Sequence, residues 1–371
     1  MDLSASASHL YIEAGKNPSG FSQQEIALMK ATVLTGIRKI EIVEQPDPTL
    51  QHPTDVLLRV IRAGICGSDL HYYTQGRIGD QIVRFPFCVG HECSAVVVDV
   101  GKEVLSFKPG DMVVVDPSVS CGTCDQCRIG HFHTCRKVRF LGCPGQLEGC
   151  LCDYIVMPED CCYSAEGLTA DQAALVEPLT IGHYAVQLSG NLEGKKIGIL
   201  GSGPIGLSVL LSARAAGASA IYVTDRLDYR LEAARQQGAT WTGNPDRTDI
   251  VLDITRREPL ELDAVFECCG QQAAFDQAVE LCKPMGRLVI VGIPEADQVS
   301  FPVHDARRKG LAFVSVRRQN ECVDPVINLI REGSIKPEFM ITHRFGLDQV
   351  AKAFDLLADY RDGIIKAMVE W

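Results

Sequence analysis

No apolar run in this chain reaches the ~18 residues that a membrane-spanning helix needs. Its first residues carry no basic stretch followed by an apolar one, so no signal peptide is expected. Positive charge is in short supply: 36 Lys and Arg face 47 Asp and Glu, and the net charge is −11. That balance disfavours nucleic acid and anionic membranes as partners. There is no internal repeat and no low-complexity tract. What remains is a chain of 371 residues, 46% hydrophobic, with material for about two domains at roughly 150 residues each.

Cysteine is not scarce. Sixteen in a chain this long do not form the dense framework of a small secreted domain, and they read as reduced thiols of a cytoplasmic protein. Four of them, Cys121, Cys124, Cys127 and Cys135, have the spacing C-x2-C-x2-C-x7-C in CGTCDQCRIGHFHTC. Two-residue gaps aim successive thiolates at one centre, and the fourth closes a tetrahedron across a short loop. Zn²⁺ suits such a site because it imposes no d-electron geometry and favours sulfur. Three cysteines so close together are too crowded for disulfide geometry. Four thiolates leave no open coordination position, so this zinc is expected to be structural and the chemistry to lie elsewhere.

The pattern along the chain has two rhythms. Residues 1–28 are rich in small and polar residues and read as an extension. From Met29 to about residue 165, KATVLTG and KIEIVEQP look like a hairpin around Gly36, and DVLLRVIRAGIC, SAVVVDVG, DMVVVDP and DYIVMP follow as short β-branched runs. They predict a β-barrel-like domain. Near Ala170 the rhythm changes. ADQAALVEPLTIGHYAVQLS reads as helix, KKIGIL as buried strand, GLSVLLSARAAGA as helix, IYVTD as strand and YRLEAARQQGA as helix, before the apolar strands DAVFECCG, RLVIVGIP and LAFVSV. Such alternation predicts an α/β fold with a doubly wound parallel sheet. VDPVINLIREG and DQVAKAFDLLADY then read as helices and IIKAMVEW as a last strand.

Gly201, Gly203 and Gly206, with Pro204 and Ile205, form G-x-G-x-x-G between the strand KKIGIL and a helix. In that context the glycines permit a tight turn, approach to a pyrophosphate and close helix–strand packing, and the helix N-terminus faces the phosphates. Asp225 closes the next strand, where a carboxylate holds the ribose hydroxyls of NAD and repels the 2′-phosphate of NADP. Arg226 beside it blurs that preference slightly. Arg230, Val291, Gly292 and Ile293 join these as cofactor-binding candidates. A second metal site is suggested by Cys66 in GICGSDLHYY and His91-Glu92 in VGHEC. A thiolate, an imidazole and a carboxylate leave one position open for water or substrate. Spacing alone leaves a core cysteine and an ordinary polar pair as alternatives.

The stretches GICGSDLHYYTQGRIGD, VGHEC, the four-cysteine lobe, LVEPLTIGHYA, GSGPIG, VTD and THRF together resemble the zinc-dependent medium-chain dehydrogenases, closest to the sorbitol (polyol) dehydrogenase branch, from Met29 to Trp371. The resemblance implies a GroES-like catalytic domain over 29–180 and 317–371, with a structural zinc lobe at about 118–137, and a Rossmann NAD-binding domain over 181–316. It implies two zincs per subunit, with Cys66, His91 and Glu92 around the catalytic one and Glu177 completing the shell directly or through water. Some alcohol dehydrogenases have Cys at the position of Glu177, and the carboxylate favours the polyol side. The implied reaction moves a hydride from a secondary alcohol of a sorbitol-, xylitol- or iditol-like polyol to NAD⁺. Ser68 would begin a proton relay with His71 as its outer member, and Asp69 would orient a ligand.

Tyr72 and Arg317 match positions that line the polyol pocket. Here the chain departs from its relatives: the animal enzymes resemble FRYCN where this one has VRRQN, so Arg318 replaces a Tyr. Adjacent arginines suit a carboxylate or phosphate, which keeps a sugar acid such as an aldonate as an alternative substrate. L-Threonine dehydrogenases share the fold and motifs as well. From another class, a non-catalytic NAD-binding redox or metal sensor remains open through the extra cysteines. Family members are dimers or tetramers, and LAFVSV is an apolar strand suited to pairing across a two-fold axis.

Overall fold

The structure, a computed structural model, describes residues 28–371. The expected N-terminal extension therefore lies outside the described residues, apart from Leu28, which already belongs to the first strand. β1 (Leu28–Gly36) and β2 (Lys39–Pro46) form the expected hairpin. β3 (Asp55–Gly64) is the central strand of the catalytic half. Its alternate residues Val56, Leu58 and Val60 are completely buried, the period-two pattern of a strand with one face on a core. Helix α1 (Gly67–Gln75) follows directly, and β4 (Glu92–Val100) returns antiparallel to β3. β5 (Met112–Val115), β6 (Tyr154–Pro158) and β7 (Cys162–Ser164) extend this layer, β6 pairing with β3 on the other side.

Helix α2 (Ala170–Ser189) carries the chain out of the β-rich half. Thr169 caps it: its Oγ1 accepts the Gln172 N–H at 3.2 Å while Gln172 Oε1 accepts the Thr169 N–H at 2.9 Å. Pro178 sits inside the helix and supplies no N–H, leaving a gap in the backbone ladder beside Glu177. Beyond it β8 (Lys196–Leu200), α3 (Pro204–Ala215), β9 (Ala220–Thr224), α4 (Asp228–Gln236), β10 (Trp241–Gly243), β11 (Leu262–Glu267), β12 (Cys282–Ile290) and β13 (Ala312–Ser315) build a six-stranded parallel sheet. The strand order is β10-β9-β8-β11-β12-β13. Numbered within the sheet this is 3-2-1-4-5-6, the dinucleotide-binding order whose switch point lies between β8 and β11. Helix α5 (Val323–Arg331), β14 (Ile341–Gly346), α6 (Val350–Ala358) and β15 (Lys366–Glu370) follow.

β15 pairs antiparallel with β3, so the end of the chain returns to the first sheet. The halves also share a core. One apolar cluster joins Val114, Ile365 and Met368 of the β-rich half to Ile199 of the parallel sheet and Leu207 of α3, with Leu175 and Leu179 of α2 among them. Helix α2 is thus the common wall, and a residue on it can face both halves. No helix among the described residues is long and apolar enough to cross a membrane. The fold agrees with the expected GroES-like β-rich part plus Rossmann sheet.

Candidate active site

Cys66 lies at the start of α1, His91 just before β4, and Glu92 is the first residue of β4. Their ligand atoms all lie within 4.8 Å of one another. Asp69, completely buried, holds the approach: its Oδ2 accepts the Cys66 N–H at 3.0 Å and its Oδ1 the Gly90 N–H at 3.1 Å. That Oδ1 also lies 3.7 Å from His91 Nδ1, which is buried and finds no hydrogen-bond partner among the described residues. A carboxylate behind one ring nitrogen fixes the imidazole for a metal at the other. The mixed S, N and O donor set fits zinc with an open position.

Glu92 sits in a made-to-measure slot. It pairs across the sheet with Gly64, and a Cβ at Gly64 would overlap Glu92 Oε2. On the other side Lys366 of β15 donates to both Glu92 oxygens, at 2.8 and 2.7 Å, and to the Ile65 carbonyl at 3.1 Å. Both side chains are nearly inaccessible, at 2% and 1% exposure. Burial is the largest single influence and opposes a charge on Lys366, but Glu92, Cys66 and Glu177 together outweigh it and raise the amine above its ordinary pKa. Sequence reasoning did not single out Lys366. Its signal was a lysine flanked by apolar residues in a strand buried along most of its length.

Glu177 stands outside the three-residue set. It is buried on α2, and burial pushes its carboxyl up to about 7, opposed by His91 and reinforced by Glu92. The carboxylate thus faces the metal group without joining it, which suits contact through water. Glu177 lines a cavity with Asp116, Phe140, Thr180, Arg318 and Gln319. Arg317, expected in the pocket, is exposed and does not line this cavity; its neighbour Arg318 does. Tyr72 is buried, and its hydroxyl lies 3.2 Å from Gln81 Oε1 and 3.9 Å from Cys143 Sγ. Ser68 and His71 are half-buried and three residues apart on α1, hence on one helical face. Burial lowers the His71 pKa below 6.5, against a weaker pull from Glu295.

The four lobe cysteines form the second metal group. Their sulfurs are 4.0 Å (Cys121–Cys127), 3.5 Å (Cys124–Cys127) and 3.9 Å (Cys124–Cys135) apart. A tetrahedron with Zn–S of about 2.3 Å has edges of roughly 3.8 Å, so the set is already spaced for the ion. The lobe docks onto the rest of the molecule. Asn320 donates to the Gly130 carbonyl at 2.9 Å and accepts the Phe132 N–H at 3.1 Å, and His133 Nε2 lies 3.0 Å from the Tyr184 hydroxyl.

At the carboxyl edge of the parallel sheet, Gly206 packs so closely that an added Cβ would overlap the Gly201 carbonyl. Asp225 Oδ2 accepts the Ser202 N–H at 2.7 Å and Oδ1 the Leu227 N–H at 2.9 Å, tying the glycine loop to the end of β9. Arg230 Nη1 lies 3.8 Å from Asp225, whereas Arg226 turns away to Asp246 at 2.9 Å. Val291 and Gly292 donate to the Glu267 carbonyl at the ends of β11 and β12, and Ile293 beside them is exposed. The dinucleotide candidates therefore gather along one edge of the sheet, the side where such folds bind ligands. Replacing Lys366 with Met strands a buried carboxylate and should destabilise the metal-free protein by about 3–5 kcal/mol. Urea denaturation measures this, and an unshifted midpoint would mean that Glu92 does not depend on Lys366.

Residues 52–167 match the alcohol dehydrogenase GroES-like domain family and residues 204–332 the zinc-binding dehydrogenase family. The chain is 35% identical to sorbitol dehydrogenase of Bacillus subtilis, over 92% of its own length and 97% of that protein. It is 32% identical to L-idonate 5-dehydrogenase of Vitis vinifera, over 88% and 91%. A zinc-binding dehydrogenase from Sinorhizobium meliloti, solved with NADP, superposes with a TM-score of 0.85 at 30% identity, covering 93% of this chain and all of that one (100%). With the paired metal groups and the nucleotide-binding sheet in one molecule, this chain belongs to the zinc-dependent medium-chain dehydrogenases, in the branch of the sorbitol dehydrogenases, and is a nicotinamide-dependent enzyme rather than a binding-only sensor.

Proposed function

We propose that this enzyme oxidises a secondary alcohol of a polyhydroxylated small molecule to a ketone, with NAD⁺ as acceptor. The observation that carries this reading is the convergence of Cys66, His91 and Glu92, three donors of different chemistry brought within 4.8 Å by separate elements. When bound, zinc supplies Lewis acidity toward the substrate oxygen and the dinucleotide accepts the hydride. The chain's own residues do the rest. Asp69 orients Cys66 and His91, Lys366 holds both oxygens of Glu92, and Glu177 closes the site through water. Ser68 Oγ takes the alcohol proton, and the imidazole of His71 is the outer acceptor of the relay that begins there. Because burial lowers that imidazole's pKa, His71 is neutral at physiological pH and able to accept.

Asp225 selects NAD by refusing a 2′-phosphate. Tyr72 and Arg317 belong to the substrate side of this proposal, with Arg317 at the rim. The division into 29–180 plus 317–371 around 181–316 is supported by the return of β15 to β3. A cytoplasmic setting suits sixteen free cysteines. Pairing of subunits through β13, which has a strand neighbour on one side only among the described residues, suits a homodimer or a homotetramer built from it.

Cys66→Ala should lose one of two zincs per chain and essentially all turnover, as read by metal analysis and NADH formation; full activity with one zinc would reject the ligand assignment. Asp225→Ala should weaken NAD⁺ and narrow its advantage over NADP⁺, and an unchanged ratio of kcat/KM values counts against the role given to Asp225. Wild-type oxidation should keep its acid limb below pH 6.5. His71→Asn should slow it about 100-fold at neutral pH, with partial rescue by imidazole buffer. No loss of rate would take His71 out of the relay.

A further inference from the structure

We infer that the substrate carries an anionic group, a carboxylate or a phosphate, and that Arg318 binds it; this rests on the secondary-alcohol oxidation proposed above. Arg318 follows β13 at the carboxyl edge of the parallel sheet, where it meets the catalytic half. Its φ is +54°, in the left-handed region that a side chain adopts only when its surroundings hold it there. That turn sends Arg318 inward while Arg317 stays exposed. Gln319, next in the chain, fixes the turn by donating to Asp116 at 2.7 Å, and Asn320 fixes it to the zinc lobe.

Inside the cavity the guanidinium lies flat against an aromatic wall, its Cζ 3.8 Å from the Phe140 ring centroid. The same ring is 5.2 Å from that of His91, so one aromatic side chain separates Arg318 from a candidate metal ligand. Nη1 is buried and has no acceptor among the described residues. The acids nearby do not fill that vacancy. Asp116 already accepts from the Ser118 N–H at 2.9 Å and from Gln319. Glu177 acts on Arg318 only through its field.

A half-buried cationic fork whose buried Nη1 has no acceptor among the described residues is an unfavourable arrangement. It becomes favourable when a ligand brings the missing negative charge. Stacking on Phe140 leaves the in-plane N–H groups free, which is the geometry for two parallel hydrogen bonds to a carboxylate or phosphate. Burial and the repulsion of Arg317 lower the Arg318 pKa to about 10, still cationic at neutral pH. Its surroundings, Phe140, Tyr72 and Glu177, belong to the catalytic side rather than to the glycine loop, so the partner is the substrate and not the cofactor's phosphates.

The test uses the zinc-loaded enzyme with NAD⁺ and three hexose-derived probes: a neutral hexitol, the corresponding aldonate and the corresponding hexitol monophosphate. Wild type should favour one of the two anions over the hexitol by at least about tenfold in kcat/KM, and which anion wins identifies the source of the charge. Arg318→Gln should lower that preference ratio about 100-fold, mainly through KM. Arg318→Lys should recover only part of it, because a point charge does not replace the fork. Equilibrium binding of the favoured anion to the enzyme–NADH complex, followed by cofactor fluorescence, should weaken in parallel. A wild type that oxidises the hexitol as well as either anion overturns the inference while leaving the proposed function intact. So does an Arg318→Gln enzyme with an unchanged preference ratio. Failure to oxidise any of the three, together with other secondary alcohols, overturns the proposed function itself.

Discussion

The site hangs on one buried carboxylate. Glu92 lies over a position where only glycine fits and is gripped by a lysine that arrives 274 residues later. Three strands, β3, β4 and β15, must therefore be in register before the carboxylate is seated. His91 precedes Glu92 and Cys66 follows Gly64 by two residues, so the same register sets all three donors. A one-residue slip in either pairing would turn Glu92 to the opposite face and remove the acid from the metal group. The ion pair also closes the chain, because β15 is held to β3 by its backbone and to Glu92 by Lys366.

Helix α2 extends that dependence to the nucleotide half. Its apolar residues are shared by both parts of the molecule, and Glu177 projects from it beside a proline-made gap in the helix ladder. The cavity is consequently built from both sides: Asp116, Phe140 and Glu177 come before the parallel sheet, Arg318 and Gln319 after it. The cysteine lobe, remote from the chemistry by its closed coordination, still touches this assembly. Through Asn320 it supports the turn that carries Arg318, which links the cysteine lobe to the cavity beside Glu177.

Much of the fold was legible from periodicity. The strands DVLLRVIRAG and KIGIL and the twenty-residue helix from Ala170 stand where the residue pattern put them. The glycine loop was legible because its motif needs a strand before it and a helix after it, and the cysteine lobe because its spacing is local. Harder to read were groups whose meaning depends on a distant partner. Lys366 appears in sequence as a charge in an apolar strand, and nothing nearby names Glu92. Arg317 and Arg318 are adjacent and chemically identical, so composition could not say which faces inward; a left-handed turn at Arg318 decided it. Glu177 was read as completing the metal shell directly or through water, and its place on α2 beside Cys66, His91 and Glu92 is set by tertiary packing rather than by local spacing.

The sequence by itself determined the cysteine lobe, the dinucleotide motif and the alternation of strands and helices, because each is written in neighbours a few residues apart. Only the tertiary structure decided how those pieces face one another. Burial, charge pairing and cavity lining arise between residues hundreds of positions apart, and they turned Glu92 into a clamped carboxylate and Arg318 into an unpaired cation beside the reacting centre.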